Sequence, residues 1–245
     1  MFWLLASVVT LLYLSYLYLS HKQPIMDPDI NLSRQNSNTD QLRDIYHTAF
    51  LLRQKLVPDV VPAILQHAGL FQRHTYSNDS LKHPRVITQN SAPHPCLTTP
   101  AIQSSARVQN PVRKVVFCIQ SSDQGWANNR DAGSWTWFTA GVQPKNPDIA
   151  SPTQVSEILD MALKDDPVDK FLTREREIYR NDVASSEMKT HIVEWSADSD
   201  DQEERKWIEA LENGDRIAVR AWAQFSGWQN HVKYASVAIY TTAVI

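Results

Sequence analysis

The second half of the chain alternates apolar and polar residues in short runs, as β-strands with one buried face do. Turn sequences separate the runs, among them Asp123-Gln124-Gly125 and Asn213-Gly214-Asp215. Residues 174–180 fit a strand or a helix equally well. The pattern predicts a mainly β fold, a β-sandwich of jelly-roll type over residues 113–245. The predicted strands are 115–120, 134–140, 188–195, 216–224 and 232–244.

Between residues 42 and 68 apolar residues recur at a spacing of three and four instead. Residues 42–56 predict an amphipathic helix that Pro58 ends, and a second short helix runs up to Gly69. Neither helix can bury its apolar face alone, so the helical pair over residues 39–71 must dock on another surface. Packing against the β domain and recruitment of a partner protein are the two alternatives.

Residues 2–19 contain no charged side chain and would span roughly 27 Å as a helix, about the thickness of the bilayer hydrocarbon. We expect an uncleaved transmembrane anchor here, because a cleaved signal peptide needs basic residues before the apolar run and small residues after it. A cleaved signal is the competing interpretation. Translation from Met26 would remove the segment altogether.

The flanking residues indicate which side of a membrane the body of the protein would face. His21, Lys22 and Arg34 follow the apolar run, so the positive-inside rule predicts a cytoplasmic body. Asn31 and Asn78 begin Asn-X-Ser patterns, which accept N-linked glycans only in a lumen. The sequence therefore predicts a single-pass membrane protein, cytoplasmic by charge, or luminal if those asparagines are glycosylated.

Two polar stretches connect the predicted parts. Residues 20–38 are predicted to be a disordered linker. Residues 72–112 are predicted to be a linker rich in Pro, Ser and Thr, or the long first approach of the chain across a sheet. The second stretch contains His94-Pro95-Cys96, but its histidines and cysteine lack the spacing of a zinc site, so no metal is expected.

Composition excludes several classes of function. The net charge of −3 offers no basic field to a nucleic acid. The two cysteines cannot form a disulfide framework. The sequence shows neither a phosphate loop nor a nucleophile elbow, so no cofactor is expected. All tryptophans except Trp3 lie between residues 126 and 228, which indicates a compact aromatic-rich domain. The oligomeric state stays open.

Four sequence blocks occur in order in the β domain: DQGW at 123–126, GSWTWF at 133–138, HIVEW at 191–195 and GDRIAVRAWAQFSGWQNHV at 214–232. With LVPDVVPAIL at 56–65 upstream, this set resembles a widespread family of uncharacterised fungal proteins, over residues 40–71 and 113–243. The resemblance implies no particular activity.

A more distant resemblance concerns residues 56–65, which are similar to the opening of an F-box, a Leu-Pro pair followed by Ile-Leu. Val57 interrupts that pair in this chain. The β domain is similar in outline to the galactose-binding-like sandwich that follows F-boxes in glycoprotein-recognising proteins. This resemblance implies a recognition role.

Acid–base chemistry has six candidates: Asp123, Asp131, His191, Glu194, Asp215 and His231. The three aspartates lie beside glycine-containing turns, where aspartate usually caps the backbone. We therefore predict no catalytic residue. An accessory enzyme of fungal metabolism with an unrecognised site is the alternative.

Trp126 and Trp228 lie outside the alternating runs, each directly after a glycine. Exposed aromatic rings beside amides suit sugar faces or peptide side chains. Alternatively, both rings fold back into the ends of the sandwich. We predict a membrane-anchored, non-enzymatic recognition protein for a glycan or protein ligand, or else an adaptor that recruits a partner through residues 42–68. The predicted rim is Trp126, Arg130, Asp131, Trp228, Asn230 and His231.

Overall fold

The computed structural model describes residues 34–78, 83–103, 110–143, 145 and 173–242. The chain divides into two compact units, residues 1–73 with 242–245, and residues 74–241. The described part of the first unit is mainly helical, and the second consists mainly of β-strands.

The helical unit contains α1 (Arg34–Arg53), a 3-10 turn (Pro58–Val60) and α2 (Val61–His67). Ile45 and Ala49 of α1 pack with Val61 and Leu65 of α2, and all four side chains are buried. Gly69 ends α2 with a φ of +68°, a left-handed conformation that glycine adopts without a Cβ clash.

The prediction of a transmembrane helix, and with it of a single-pass membrane protein, is wrong for the part of the chain that the structure describes. No helix in that part is both long enough and apolar enough to cross a membrane. The 20-residue helix α1 carries arginine, aspartate and amide side chains, and it begins inside the stretch 20–38 that was predicted to be disordered. The predicted anchor itself, residues 2–19, lies outside the described residues, as does Asn31.

Nine strands belong to the described residues: β1 (Phe71–Ser77), β2 (Arg85–Thr88), β3 (His94–Thr98), β4 (Val112–Ser122), β5 (Thr136–Gln143), β6 (Thr173–Arg180), β7 (Lys189–Ser196), β8 (Arg216–Ala223) and β9 (Gln229–Thr242). The first sheet has the order β1-β9-β4-β7, with β2 also paired to β9, and the second has the order β3-β8-β5-β6. The strand pairs β2–β9, β3–β8, β4–β7, β4–β9, β5–β6 and β5–β8 are antiparallel.

From β3 onward most connections between consecutive strands cross from one sheet to the other. Two antiparallel sheets joined in this way are consistent with the predicted β-sandwich, whose jelly-roll type stays a prediction. The core lies between the sheets, where Phe117 and Ile119 of β4 and Phe138 of β5 are almost fully buried. A short helix, α3 (Gln202–Glu209), adds Trp207 to this core.

Most of β1 and all of β2 and β3 lie in residues 72–112, the stretch predicted to be a linker or the first approach of the chain across a sheet. Prolines and hydroxyl residues hide the strand pattern there. β3 is an edge strand of the second sheet, where Pro95 is tolerated although it lacks a backbone N–H. The ambiguous segment 174–180 forms strand β6.

Candidate ligand-binding surface

Trp137 of β5 and Trp222 of β8 occupy directly opposite positions on neighbouring strands. Because the adjacent residues Phe138 and Ala221 belong to the core, both indoles lie on the outer face of the second sheet. The rings are stacked, with 5.6 Å between centroids and 4° between planes. This pair forms an aromatic stack on the outer face of the second sheet.

Arg180 of β6 extends the pair into a three-residue ladder, because it lies opposite Trp137 on the other neighbouring strand. Its guanidinium carbon is 4.7 Å from the centroid of the Trp137 ring, a cation–π contact. Arg180 also donates to the backbone carbonyl of Ser134 at 3.2 Å and to the Glu177 carboxylate at 2.8 Å. The arginine is therefore held in place and its charge is paired.

The orientation of Trp222 is fixed by its indole N–H, which donates to the Thr139 hydroxyl at 2.9 Å. Thr139 in turn donates to one oxygen of Glu175 at 2.6 Å, and the other oxygen lies 3.7 Å from Arg220. Since its N–H is already used inside the protein, Trp222 offers a ligand its ring face.

An open groove of about 340 Å³ borders this pair. Small-molecule sites commonly occupy about 300–1,000 Å³, so the groove is at the lower end of that range. None of the described residues that line it carries a charge: Gln89, Ala92, Trp137, Trp222, Ala223 and Gln224. These lining residues are two tryptophans, two alanines and two glutamines.

The backbone at both groove glutamines, Gln89 and Gln224, is held by hydrogen bonds. Gln89 begins the 3-10 turn Gln89–Ser91, in which the Thr88 backbone N–H donates to the Ser91 hydroxyl at 2.9 Å. Gln224 follows β8 directly, and its backbone N–H donates to the carbonyl of Trp135 at 3.1 Å. Both glutamine residues are exposed. The groove therefore places two accessible amides beside two indoles.

Two loops meet at one end of the sandwich: the loop between β4 and β5 (residues 123–135) and the loop between β8 and β9 (residues 224–228). The Trp135 ring lies edge-on to Phe225, with 4.8 Å between centroids. The side chain of Gln124 accepts from the backbone N–H of Gln229 at 3.1 Å and donates to the carbonyl of Trp126 at 2.8 Å. Trp126 is 54% exposed and Phe225 is 44% exposed, so this end of the domain carries accessible aromatic rings.

Most of the predicted rim residues lie on these two loops or next to them. Arg130 and Asp131 are exposed on a 3-10 turn that the Asn129 side chain caps by accepting from the Asp131 N–H at 3.0 Å. Trp228 and His231 are half-buried, and His231 lies 3.2 Å from the Gln229 amide oxygen. Trp126 is thus exposed as a recognition residue would be, whereas Trp228 is only partly so.

Asn230 lies inside the domain and not on the rim, since none of its surface is exposed. Its amide nitrogen donates to the backbone carbonyls of Trp137 at 3.3 Å and Trp222 at 3.2 Å. Its amide oxygen accepts from Asn181 at 3.0 Å. Asn230 therefore ties the strands that carry the stacked tryptophans to β9 in the opposite sheet.

Asn181 is the centre of a buried polar network. Its amide oxygen accepts from the Ser121 hydroxyl at 2.7 Å, and its amide nitrogen also donates to the Thr136 hydroxyl at 3.0 Å. Ser121 is hydrogen-bonded to the Tyr179 hydroxyl as well. Because the Ser121 proton points to Asn181, Tyr179 is the donor in that second bond.

Asp123 occupies the turn between β4 and the first loop, and its carboxylate is buried. It accepts from the backbone N–H groups of Gly125 and Ala184, each at 3.1 Å, and from the Ser134 hydroxyl at 3.4 Å. Burial raises the pKa of Asp123, against the opposing effect of these hydrogen bonds. The residue caps turns, as its position beside glycine suggested.

Three other acid–base candidates, His191, Glu194 and Asp215, also contact side chains within the protein. His191 stacks on Tyr179 with 4.2 Å between ring centroids, and burial lowers its pKa. Glu194 forms an ion pair with Lys114 at 3.1 Å, and the buried Asp215 pairs with Arg174 at 3.2 Å. Within the described residues no group of three His, Cys, Asp or Glu side chains is placed to hold a metal.

Asn78, a predicted glycan acceptor, uses its amide nitrogen to donate to the Cys96 carbonyl at 3.4 Å.

The local sequence pattern does not single out the groove residues. Trp137 and Trp222 occupy positions that alternate with core residues, and a large aromatic residue at such a position is the available signal. Gln89 gives no signal, since it lies in the stretch interpreted as a linker. The groove exists because β8 pairs with both β3 and β5, which the sequence does not reveal.

The chain matches no protein-family model and no curated protein. The resemblance to the fungal family, and to the sandwich that follows F-boxes, stays a prediction.

Proposed function

We propose that the β domain is a non-enzymatic recognition module whose glycan or protein ligand binds in the groove beside Trp137 and Trp222. The observation that carries this proposal is the stacked indole pair on the outer face of the second sheet. Aromatic side chains that point away from a core and border a concave surface are typical of binding sites.

The surroundings of the pair support this function. Arg180 packs on the Trp137 ring and Thr139 accepts a hydrogen bond from the Trp222 indole, so little side-chain freedom is lost when a ligand binds. The exposed rings of Trp126 and Phe225, with Arg130 and Asp131 nearby in sequence, add contacts at the loop end of the domain. Trp228 and His231 are secondary contributors because they are half-buried.

An enzymatic role has less support from the geometry. A catalytic acid or base must reach a reacting atom. Asp123 and Asp215 are buried and hydrogen-bonded within turns, and His191 faces Tyr179. None of these three groups lines the groove.

The test is a binding screen of the full chain against immobilised glycans and peptides, repeated with Trp222→Ala. We expect at least one ligand class whose signal falls about tenfold or more in the variant, since aromatic anchors often dominate binding. Ile192→Ala is a matched control, because Ile192 is an exposed apolar residue of β7 in the other sheet. Binding that Ile192→Ala and Trp222→Ala change equally would reject the groove as the site.

A second candidate function is the adaptor role of the helical unit. Several large apolar side chains of this unit are exposed, including Tyr46 at 47%, Phe50 at 60% and Val57 at 65%. Tyr46 and Phe50 are four residues apart on α1 and so share one face. A partner with an apolar docking surface would cover them.

The adaptor role is tested by hydrogen–deuterium exchange of the full chain with and without a candidate partner. Protection confined to α1 and abolished by Phe50→Glu would support it. Protection of β8 and β5 alone would support the recognition module instead. Lys55→Glu is the control, since Lys55 is exposed in the same unit.

A further inference from the structure

We propose that the ligand of the groove is a neutral saccharide, one ring of which lies against the Trp222 indole while Gln89 and Gln224 hydrogen-bond its hydroxyl groups. This inference rests on the proposed recognition function and adds the chemical class of the ligand.

The absence of charged residues among the described lining residues disfavours an ionic ligand. The described lining residues are uncharged. Arg180 and Arg220, which lie on β6 and β8 of the same sheet, are already paired, Arg180 with Glu177 at 2.8 Å and Arg220 with Glu175 at 3.7 Å. An acidic or basic ligand would lose hydration in the groove without gaining a counterion, which is unfavourable. The groove therefore suits an uncharged ligand.

The hydrogen-bonding groups of the lining fit hydroxyls in particular. Each glutamine amide has a carbonyl that accepts and an NH₂ that donates, and a sugar hydroxyl likewise does both. The Trp222 N–H is engaged by Thr139, so polar recognition in the groove falls to Gln89 and Gln224. A ligand with an apolar ring face and polar groups around its edge matches this division, and a pyranose ring has that form.

A proline-rich peptide is the main competitor, since aromatic grooves also bind such peptides. Its proline residues offer carbonyl acceptors and no backbone donors. Those proline residues would give the amide oxygens of the two glutamines no backbone donor, whereas sugar hydroxyls would donate to them. The Trp222 ring beside two complete amides therefore favours the saccharide.

The experiment is isothermal titration of the full chain with hexamers of glucose, mannose, galactose and N-acetylglucosamine. Oligogalacturonate, oligomeric glucosamine and a proline-rich decapeptide serve as acidic, basic and peptide probes. We expect at least one neutral hexamer to bind, with a change in tryptophan fluorescence, and the charged oligomers to bind at least tenfold more weakly.

The variants distinguish a loss of ligand contacts in the groove from a disturbance of the fold. Trp222→Ala is expected to abolish saccharide binding, but it removes a half-buried ring and can disturb the sheet. Gln89→Ala and Gln224→Ala change exposed side chains, so they keep the fold, and each is expected to weaken binding about five- to tenfold. Ile192→Ala should leave the affinity unchanged.

Three results would overturn the inference. The first is binding of the peptide, dependent on Trp222, with no binding of any neutral hexamer; this would leave the recognition function standing. The second is saccharide binding that none of the three groove variants weakens, which would remove the groove from both proposals. The third is the absence of binding by every probe, which would also count against the recognition function.

Discussion

The side-chain amide of Asn181 donates a 3.0 Å hydrogen bond to the side-chain oxygen of Asn230, and both residues are buried. Asn181 follows β6 of the second sheet, and Asn230 lies on β9 of the first. The bond therefore joins the two sheets directly behind the stacked tryptophans. Asn230 completes the connection by donating to the backbone carbonyls of Trp137 and Trp222.

Asn230→Ala is expected to lower the free energy of unfolding by about 1–3 kcal/mol, because it leaves buried polar groups without a partner. Urea denaturation followed by tryptophan fluorescence measures the change. Asn128→Ala, at an exposed loop position, is the control and should stay within about 0.5 kcal/mol of the parent protein. Equal stability of the two variants would show that the Asn181–Asn230 bond does not stabilise the fold.

Asp123→Asn tests the buried turn carboxylate through pH. Burial raises the pKa of Asp123, so the folded state retains its proton to a higher pH than the unfolded chain does. The contribution of this group to stability is then largest at low pH and falls as pH rises from the unfolded pKa of about 3.8 through the raised value. The asparagine variant should lack this fall. Identical pH profiles for variant and parent would contradict the assignment.

His191→Gln tests a pKa shift in the opposite direction to that of Asp123. Burial lowers the pKa of His191, which stacks on Tyr179 and has Asp182 and Lys189 nearby. The unfolded chain therefore takes up the proton first, and the stabilisation present above a pH of about 6.5 is lost as pH falls through the lowered pKa. Unfolding midpoints between neutral and mildly acidic pH should drop less steeply in the variant. An unchanged slope would leave His74, whose pKa burial also lowers, as the source.

The alternation of residues 113–245 predicted the main strands because local pattern determines which face a strand buries. It predicted neither the ladder nor the role of Asn230. Trp137 and Trp222 become neighbours only through the register of β5 against β8, and Asn230 is buried because it meets Asn181 from the other sheet. Both contacts join residues far apart in sequence. A polar residue in a turn-rich motif is read as exposed unless its distant partner is known.

The edge of the second sheet shows a different limit. β3 contains Pro95, which removes one backbone donor, so its segment has the composition of a linker. The strand forms because β8 supplies its pairing partner, with His94 opposite Ala221. The composition of a segment indicates how much conformational entropy it loses on folding. Pairing with a neighbouring strand such as β8 can offset that loss.

Gly125→Ala is the last prediction, and it isolates a single steric contact. Gly125 has a φ of +91°, and a Cβ there would lie 2.9 Å from the Cβ of Ser186. Gly227 has a similar φ of +85°, but its Cβ would meet only the Trp126 ring at 3.6 Å, an ordinary contact. Alanine in a left-handed conformation costs about 1–2 kcal/mol at either position, and the clash should add about 1–3 kcal/mol at Gly125 alone. Chemical denaturation of both variants measures the difference. Adding Ser186→Gly to Gly125→Ala should recover the clash energy and leave the conformational cost. If the double variant is no more stable than Gly125→Ala, contact with Ser186 is not the reason that this turn requires glycine.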